Sequence, residues 1–137
     1  MRECALTDSQ IGGMGYQVGY LLARENLSLG LSVVADCVNP WELPRANWPE
    51  SATNLNLPYI EIEVICSNVD EHRRRVEGRV SDIEGLSLPS WSQACERDYH
   101  PWPDANLRLD TAHLTAEESV LQVLQAVSRA KRASTIC

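Results

Sequence analysis

Four arginines fall within seven residues, Arg73, Arg74, Arg75 and Arg79, in a chain whose formal net charge is -7. Guanidinium groups this close repel unless anions compensate them, and Glu71 and Glu77 are the near neighbours able to do so. An arginine fork matches phosphate with two parallel hydrogen bonds, so one chemistry this spacing allows is a phosphate clamp. The plainer alternative is a solvated helix face laced with i,i+4 ion pairs. Asp36, after Val33-Val34-Ala35, is the acid least readily assigned to a plain surface, because it ends an apolar run. Ser67 and Asp110-Thr111 end the other two apolar runs.

Several further groups have a chemical reading and a bland one. Cys66, His72, Cys95 and His100 can be written as a zinc set, but their spacing is wider than the tight pairs of structural sites. Cys66 and Cys95 read more simply as small buried hydrophobes. Cys37 at a strand end could be a nucleophile, yet no histidine lies near it in sequence. His113 reads as a loop residue before a helix. The four tryptophans, Trp41, Trp48, Trp91 and Trp102, could stack on a base but more commonly pack over strand ends.

The elements that must position these groups follow from periodicity. Met14, Val18, Leu21 and Leu22 fall on one helix face, closed by Gly30. Leu31–Asp36 reads as a buried strand. Pro40, Pro44 and Pro49 allow at most a short helix around Leu43–Asn47. Tyr59–Cys66 reads as a strand with Glu61 and Glu63 outward. Asn68 and Glu71 resemble a capping box that starts the arginine helix. Ser90 and Gln93 repeat that spacing ahead of a helix reaching about Asp98. Leu107–Leu109 is a third strand, and Thr115 and Glu118 cap a last helix whose stripe is Val120, Val123, Leu124 and Val127. Lys131–Cys137 reads as a frayed tail. Strands near 32–36, 60–66 and 106–109, alternating with helices, predict a three-layer α/β fold with a parallel sheet. Ligands bind such sheets beyond the strands' carboxyl ends.

At 137 residues the chain is read as a single domain. Its acidic balance argues against a non-specific nucleic-acid binder, which needs a basic face. No apolar run reaches the ~18 residues of a membrane span, and the first residues hold no apolar signal core. Five scattered cysteines without a Cys-x-x-Cys motif suggest reduced thiols in a cytoplasmic setting.

The stretches Val33–Pro40, Glu71–Arg79, Glu96–Trp102 and Leu109–Thr111, in this order, resemble the carboxyl-terminal three quarters of a P-loop kinase-like NTPase. The likeness is to the AAA-type ATPase and small-molecule kinase group that includes adenylate kinase, gluconate kinase and zeta-toxin-like kinases. It runs from about Tyr16 to Val127. It implies ATP and magnesium as cofactors and phosphoryl transfer to a small-molecule acceptor. By the same resemblance Arg75 and Arg79 would stabilise transition-state charge, Asp36 would hold magnesium through water, Asn39 and Arg74 would meet the acceptor, and Asp110 and Thr111 would lie near the nucleotide.

The departures from that group are specific. A phosphate loop needs glycines followed by Lys-Ser or Lys-Thr, whereas the one lysine here is Lys131. The cluster Gly12-Gly13-Met14-Gly15 has no lysine after it and reads as a turn into a helix. The first strand, phosphate loop and second strand of the group have no counterpart. The resemblance therefore implies impaired catalysis, or a non-catalytic binding or regulatory module, or a truncated remnant without function. Strand edges left unpaired would invite self-association or a completing partner chain.

Overall fold

The structure, a computed structural model, describes residues 13–134; Cys4, Gly12 and Cys137 lie outside them. Among the described residues there are five helices and a two-stranded sheet, a mixed α/β composition. The chain divides between Tyr59 and Ile60 into two compact units.

The first unit is a pair of helices, α1 (Met14–Ser28) and α2 (Glu42–Thr53), in contact with each other. Gly30 ends α1 as expected. Its φ of 79° is a left-handed conformation in which glycine alone is unstrained. The Gly30 amide reaches the Leu27 carbonyl at 2.9 Å and the Leu31 amide reaches that of Asn26 at 3.1 Å, the paired closure of a Schellman motif. α2 is longer than the prolines seemed to allow. Pro44 lies in the first turn, where no amide donor is needed, and Pro49 costs the helix one interior donor. Asn56, at φ 55°, supports a second closure, its amide meeting Thr53 and that of Leu57 meeting Ala52, both at 3.0 Å.

The face that α1 buries is not its aliphatic stripe. Met14, Val18, Leu21 and Leu22 are all exposed, whereas Ala23 is buried and Tyr16, Gly19 and Tyr20 are half-buried. Tyr20 and Trp48 meet edge to face at 4.6 Å, and the Tyr20 hydroxyl donates to the Pro44 carbonyl at 3.2 Å. Aromatic area plus a satisfied hydroxyl outweighs a row of aliphatics. The expected strand Leu31–Asp36 does not form. The segment is exposed along its length, with Val34 at 93%, because a strand needs a neighbour for its amides and carbonyls.

The second unit holds the sheet. Strands β1 (Ile62–Ile65) and β2 (Leu107–Asp110) run parallel, with Ile62 opposite Leu107 and Ile65 opposite Asp110. The parallel pairing agrees with the sequence, but among the described residues two strands replace the three expected for a three-layer fold. Glu63 also points the other way from expectation. It is 3% exposed while Val64 is exposed. Arg108, its partner across the strands, donates from Nε at 2.5 Å, and the Tyr99 hydroxyl donates at 2.9 Å. A cross-strand ion pair with a second donor thus sets the face that alternation alone assigned to the valine.

Helices α3 (Val69–Glu77), α4 (Trp91–Cys95) and α5 (Ala116–Ser134) complete this unit. All three begin where the sequence places a cap. Asn68 accepts from the Glu71 amide at 3.0 Å; Ser90 with Gln93 and Thr115 with Glu118 make both bonds of the capping box. α4 stops at Cys95, short of Asp98, and Cys95 is exposed rather than buried. α5 continues through Lys131 to Ser134. It packs against β2; Gln122, Val123, Ala126, Val127 and Ala130 are half-buried, whereas Val120 and Leu124 of the expected stripe are exposed.

Candidate functional site

Four of the residues singled out by sequence meet at the carboxyl end of the parallel pair. Thr111, just past β2, donates through its amide and its hydroxyl to the Ile65 carbonyl, both at 2.8 Å. Arg75 reaches from α3 to Thr111, donating to the hydroxyl oxygen and to the backbone carbonyl, each at 3.0 Å. Its Nε donates to Glu71 at 2.7 Å. Arg74 grips the same Glu71 carboxylate with two bonds, at 2.8 and 2.7 Å. One carboxylate is therefore shared by two adjacent guanidinium groups, and Arg73 pairs with Glu77 at 2.9 Å. Hydrogen bonds from Arg74 and then Arg75 hold the Glu71 carboxyl well below its usual range, at about 2.

Asp110 completes the cluster from the other side. Its Oδ1 accepts from the Ser67 amide and the Ala112 amide, each at 3.0 Å. These ties, led by the Ser67 hydroxyl and amide, hold its carboxyl at about 2. His113 stands 3.9 Å from the same carboxylate and is exposed, as a loop residue would be. Asp110 thus staples the end of β1 to the end of β2, and Arg75 staples α3 to the same place. Arg74 and Arg75 direct part of their guanidinium donors to protein oxygens.

Arg79 is not part of this cluster. The Gly78 amide caps α3 by donating to the Arg74 carbonyl at 3.0 Å, and Arg79 follows beyond the helix end, exposed. The expected one-turn spacing between Arg75 and Arg79 on a helix face does not arise, because the helix stops at Glu77.

Asp36 and Asn39 belong to the first unit. Asp36 is exposed and lines an open groove of about 610 Å³ together with Tyr16, Gly19, Leu22, Val34 and Trp48. Among the described residues no three His, Cys, Asp or Glu side chains converge as metal ligands. Asn39 is held through its side-chain oxygen and its backbone. Its Oδ1 accepts from the Trp48 indole at 2.9 Å and from the Cys37 thiol at 3.1 Å. Its amide donates to the Tyr16 hydroxyl at 3.1 Å, and its carbonyl accepts from Arg45 at 2.8 Å. Desolvation, with Asp36 alongside, pushes the Cys37 thiol up from its ordinary value, the opposite of what activates a thiolate nucleophile.

Two of the tryptophans act as packing groups, one in each unit. Trp48 holds Tyr20 and Asn39, and Trp91 meets His72 edge to face at 5.1 Å. The buried Glu63, which sequence alternation missed, had one signal: its strand partner Arg108 carries the opposite charge. In comparisons with known proteins, no family model, curated protein or solved structure matches the chain. No helix among the described residues is long and apolar enough to cross a membrane.

Proposed function

We propose that the chain is a non-catalytic binding or regulatory module, with a resemblance to P-loop kinase-like NTPases that does not extend to their phosphoryl transfer. The observation that carries this reading is the pairing of Arg74 and Arg75 with Glu71 and Thr111. A clamp for ATP phosphates works through donors left open to the ligand, and here both guanidinium groups have protein acceptors. Asp36 with magnesium, and Asn39 with an acceptor, are retained only as roles implied by the resemblance. Reduced cysteines in a cytoplasmic setting fit the proposal, with Cys37, Cys66 and Cys95 all free.

One observation favours weak anion binding at the same place. Glu71 occupies the arginine pair as a carboxylate, the group a phosphate would have to displace, and Arg74 is exposed. Glu71→Gln weakens that internal competitor while preserving shape.

The test is a titration of ATP with magnesium, read by tryptophan fluorescence and by release of phosphate. The proposal predicts no saturable response at millimolar ATP and no turnover above the no-protein control. Turnover near ~1 s⁻¹, an ordinary kinase rate, would overturn it.

A further inference from the structure

α5 packs on β2, and the side of the helix opposite its half-buried residues carries two exposed leucines. Gln122, Val123, Ala126, Val127 and Ala130 are half-buried. On the far side Glu117, Leu121, Leu124, Ser128 and Arg132 fall at spacings of four, three, four and four, a single stripe along a helix. Leu121 is 59% exposed and Leu124 is 57% exposed. Leu121, Leu124, Gln125, Ser128, Arg129 and Arg132 together line one shallow groove of about 380 Å³ along the helix surface.

The ends of that stripe carry opposite charges. Glu117 and Glu118 lie in the first turn of α5, and Lys131 and Arg132 in the last. A second α5 laid antiparallel along the stripe places Leu121 opposite Ser128, Leu124 opposite Gln125 and Glu117 opposite Arg132, each contact occurring twice about a two-fold axis. Parallel packing would instead bring the acidic ends together and the basic ends together. Antiparallel packing also opposes the two helix dipoles favourably.

We propose that the outer face of α5 is a homodimer interface, in which two copies of this chain pair antiparallel through Leu121 and Leu124, with Glu117 of each opposite Arg132 of the other. The proposal is independent of whether nucleotide binds. A surface formed by one helix from each copy is small beside a standard interface of about 1,600 Å², so the dimer forms at micromolar rather than nanomolar concentration.

The test uses the full chain in sedimentation equilibrium across the micromolar range, with circular dichroism to confirm that each variant folds. Leu124→Glu, an exposed position, weakens self-association about tenfold or more. Glu117→Arg alone and Arg132→Glu alone each replace attraction by repulsion and also weaken it. Mixing those two single variants restores association as a mixed dimer, because one carries arginine at both ends and the other glutamate. A chain that stays monomeric throughout the range overturns the proposal, as does self-association indifferent to these changes. Binding to anionic vesicles by a monomeric chain, lost with Arg129→Glu and Arg132→Glu, overturns it in favour of a lipid surface.

Discussion

Asn39 is the residue at which a substrate-binding reading and a structural reading make opposite forecasts. Its side-chain oxygen is the acceptor for the Trp48 indole at 2.9 Å, and its φ of 46° lies in the left-handed region. Asn39→Ala leaves a partly buried indole N–H without that acceptor, a loss of about 1–2 kcal/mol. Alanine at a left-handed φ adds roughly 1 kcal/mol, a strain asparagine tolerates better. The expected sum is about 2–3 kcal/mol, confined to the first unit. Asn39→Gly removes the acceptor without the strain and should cost less, about 1–2 kcal/mol. Asn39→Asp retains an acceptor and should cost least. Amide hydrogen exchange of α1 and α2, read alongside urea unfolding, gives the three values. Protection within ~0.5 kcal/mol of the parent for Asn39→Ala, the range of an ordinary surface substitution, refutes the structural role.

Three further outcomes follow from other contacts. A Cβ at Gly19 would stand 2.9 Å from the Trp48 ring, so Gly19→Ala should destabilise the first unit by about 1–2 kcal/mol despite its helix propensity, as measured by thermal unfolding. Arg108→Ala strands the buried Glu63 carboxylate and should cost about 3 kcal/mol, whereas replacing both with leucine should cost much less; urea unfolding of the two variants checks the order. Glu71 and Asp110 both have carboxyls held at about 2 in the folded chain, below the ~4 of unfolded acids. The folded state then binds fewer protons, so the stability they contribute is complete above pH ~5 and is lost as pH falls from about 4 toward 2. Glu71→Gln combined with Asp110→Asn should flatten that segment of a stability-versus-pH curve.

What the sequence made legible was mostly local. The caps of the three helices of the second unit were visible because a hydrogen bond between residues three apart needs no knowledge of the rest of the fold: Asn68 with Glu71, Ser90 with Gln93, Thr115 with Glu118. Gly30 was visible for the same reason. Asp110 and Thr111 could be placed at a strand end beside Ser67 because parallel strands bring their carboxyl ends together. Long-range competition was not legible. The stripe Met14, Val18, Leu21 and Leu22 has ideal spacing, yet Trp48 drew the opposite face inward. Leu31–Asp36 has a strand's composition but no hydrogen-bonding neighbour. Glu63 turned inward because Arg108, far away in sequence, lies beside it in the sheet. The arginine cluster was legible as two alternatives, and the deciding fact, Thr111 as the acceptor for Arg75, is a tertiary contact.

The central claim is that Arg75 braces α3 to the end of β2. Its most direct test is the stability of Arg75→Ala, measured with and without magnesium and ATP. Two exposed hydrogen bonds to Thr111 at about 0.5 kcal/mol each, plus an exposed ion pair at about 0.2–1 kcal/mol, give a loss of roughly 1–2 kcal/mol. The account predicts that loss in urea unfolding, with the parent and the variant both indifferent to ATP and magnesium. A variant as stable as its parent, which has lost a stabilisation by ATP that the parent shows, would contradict it.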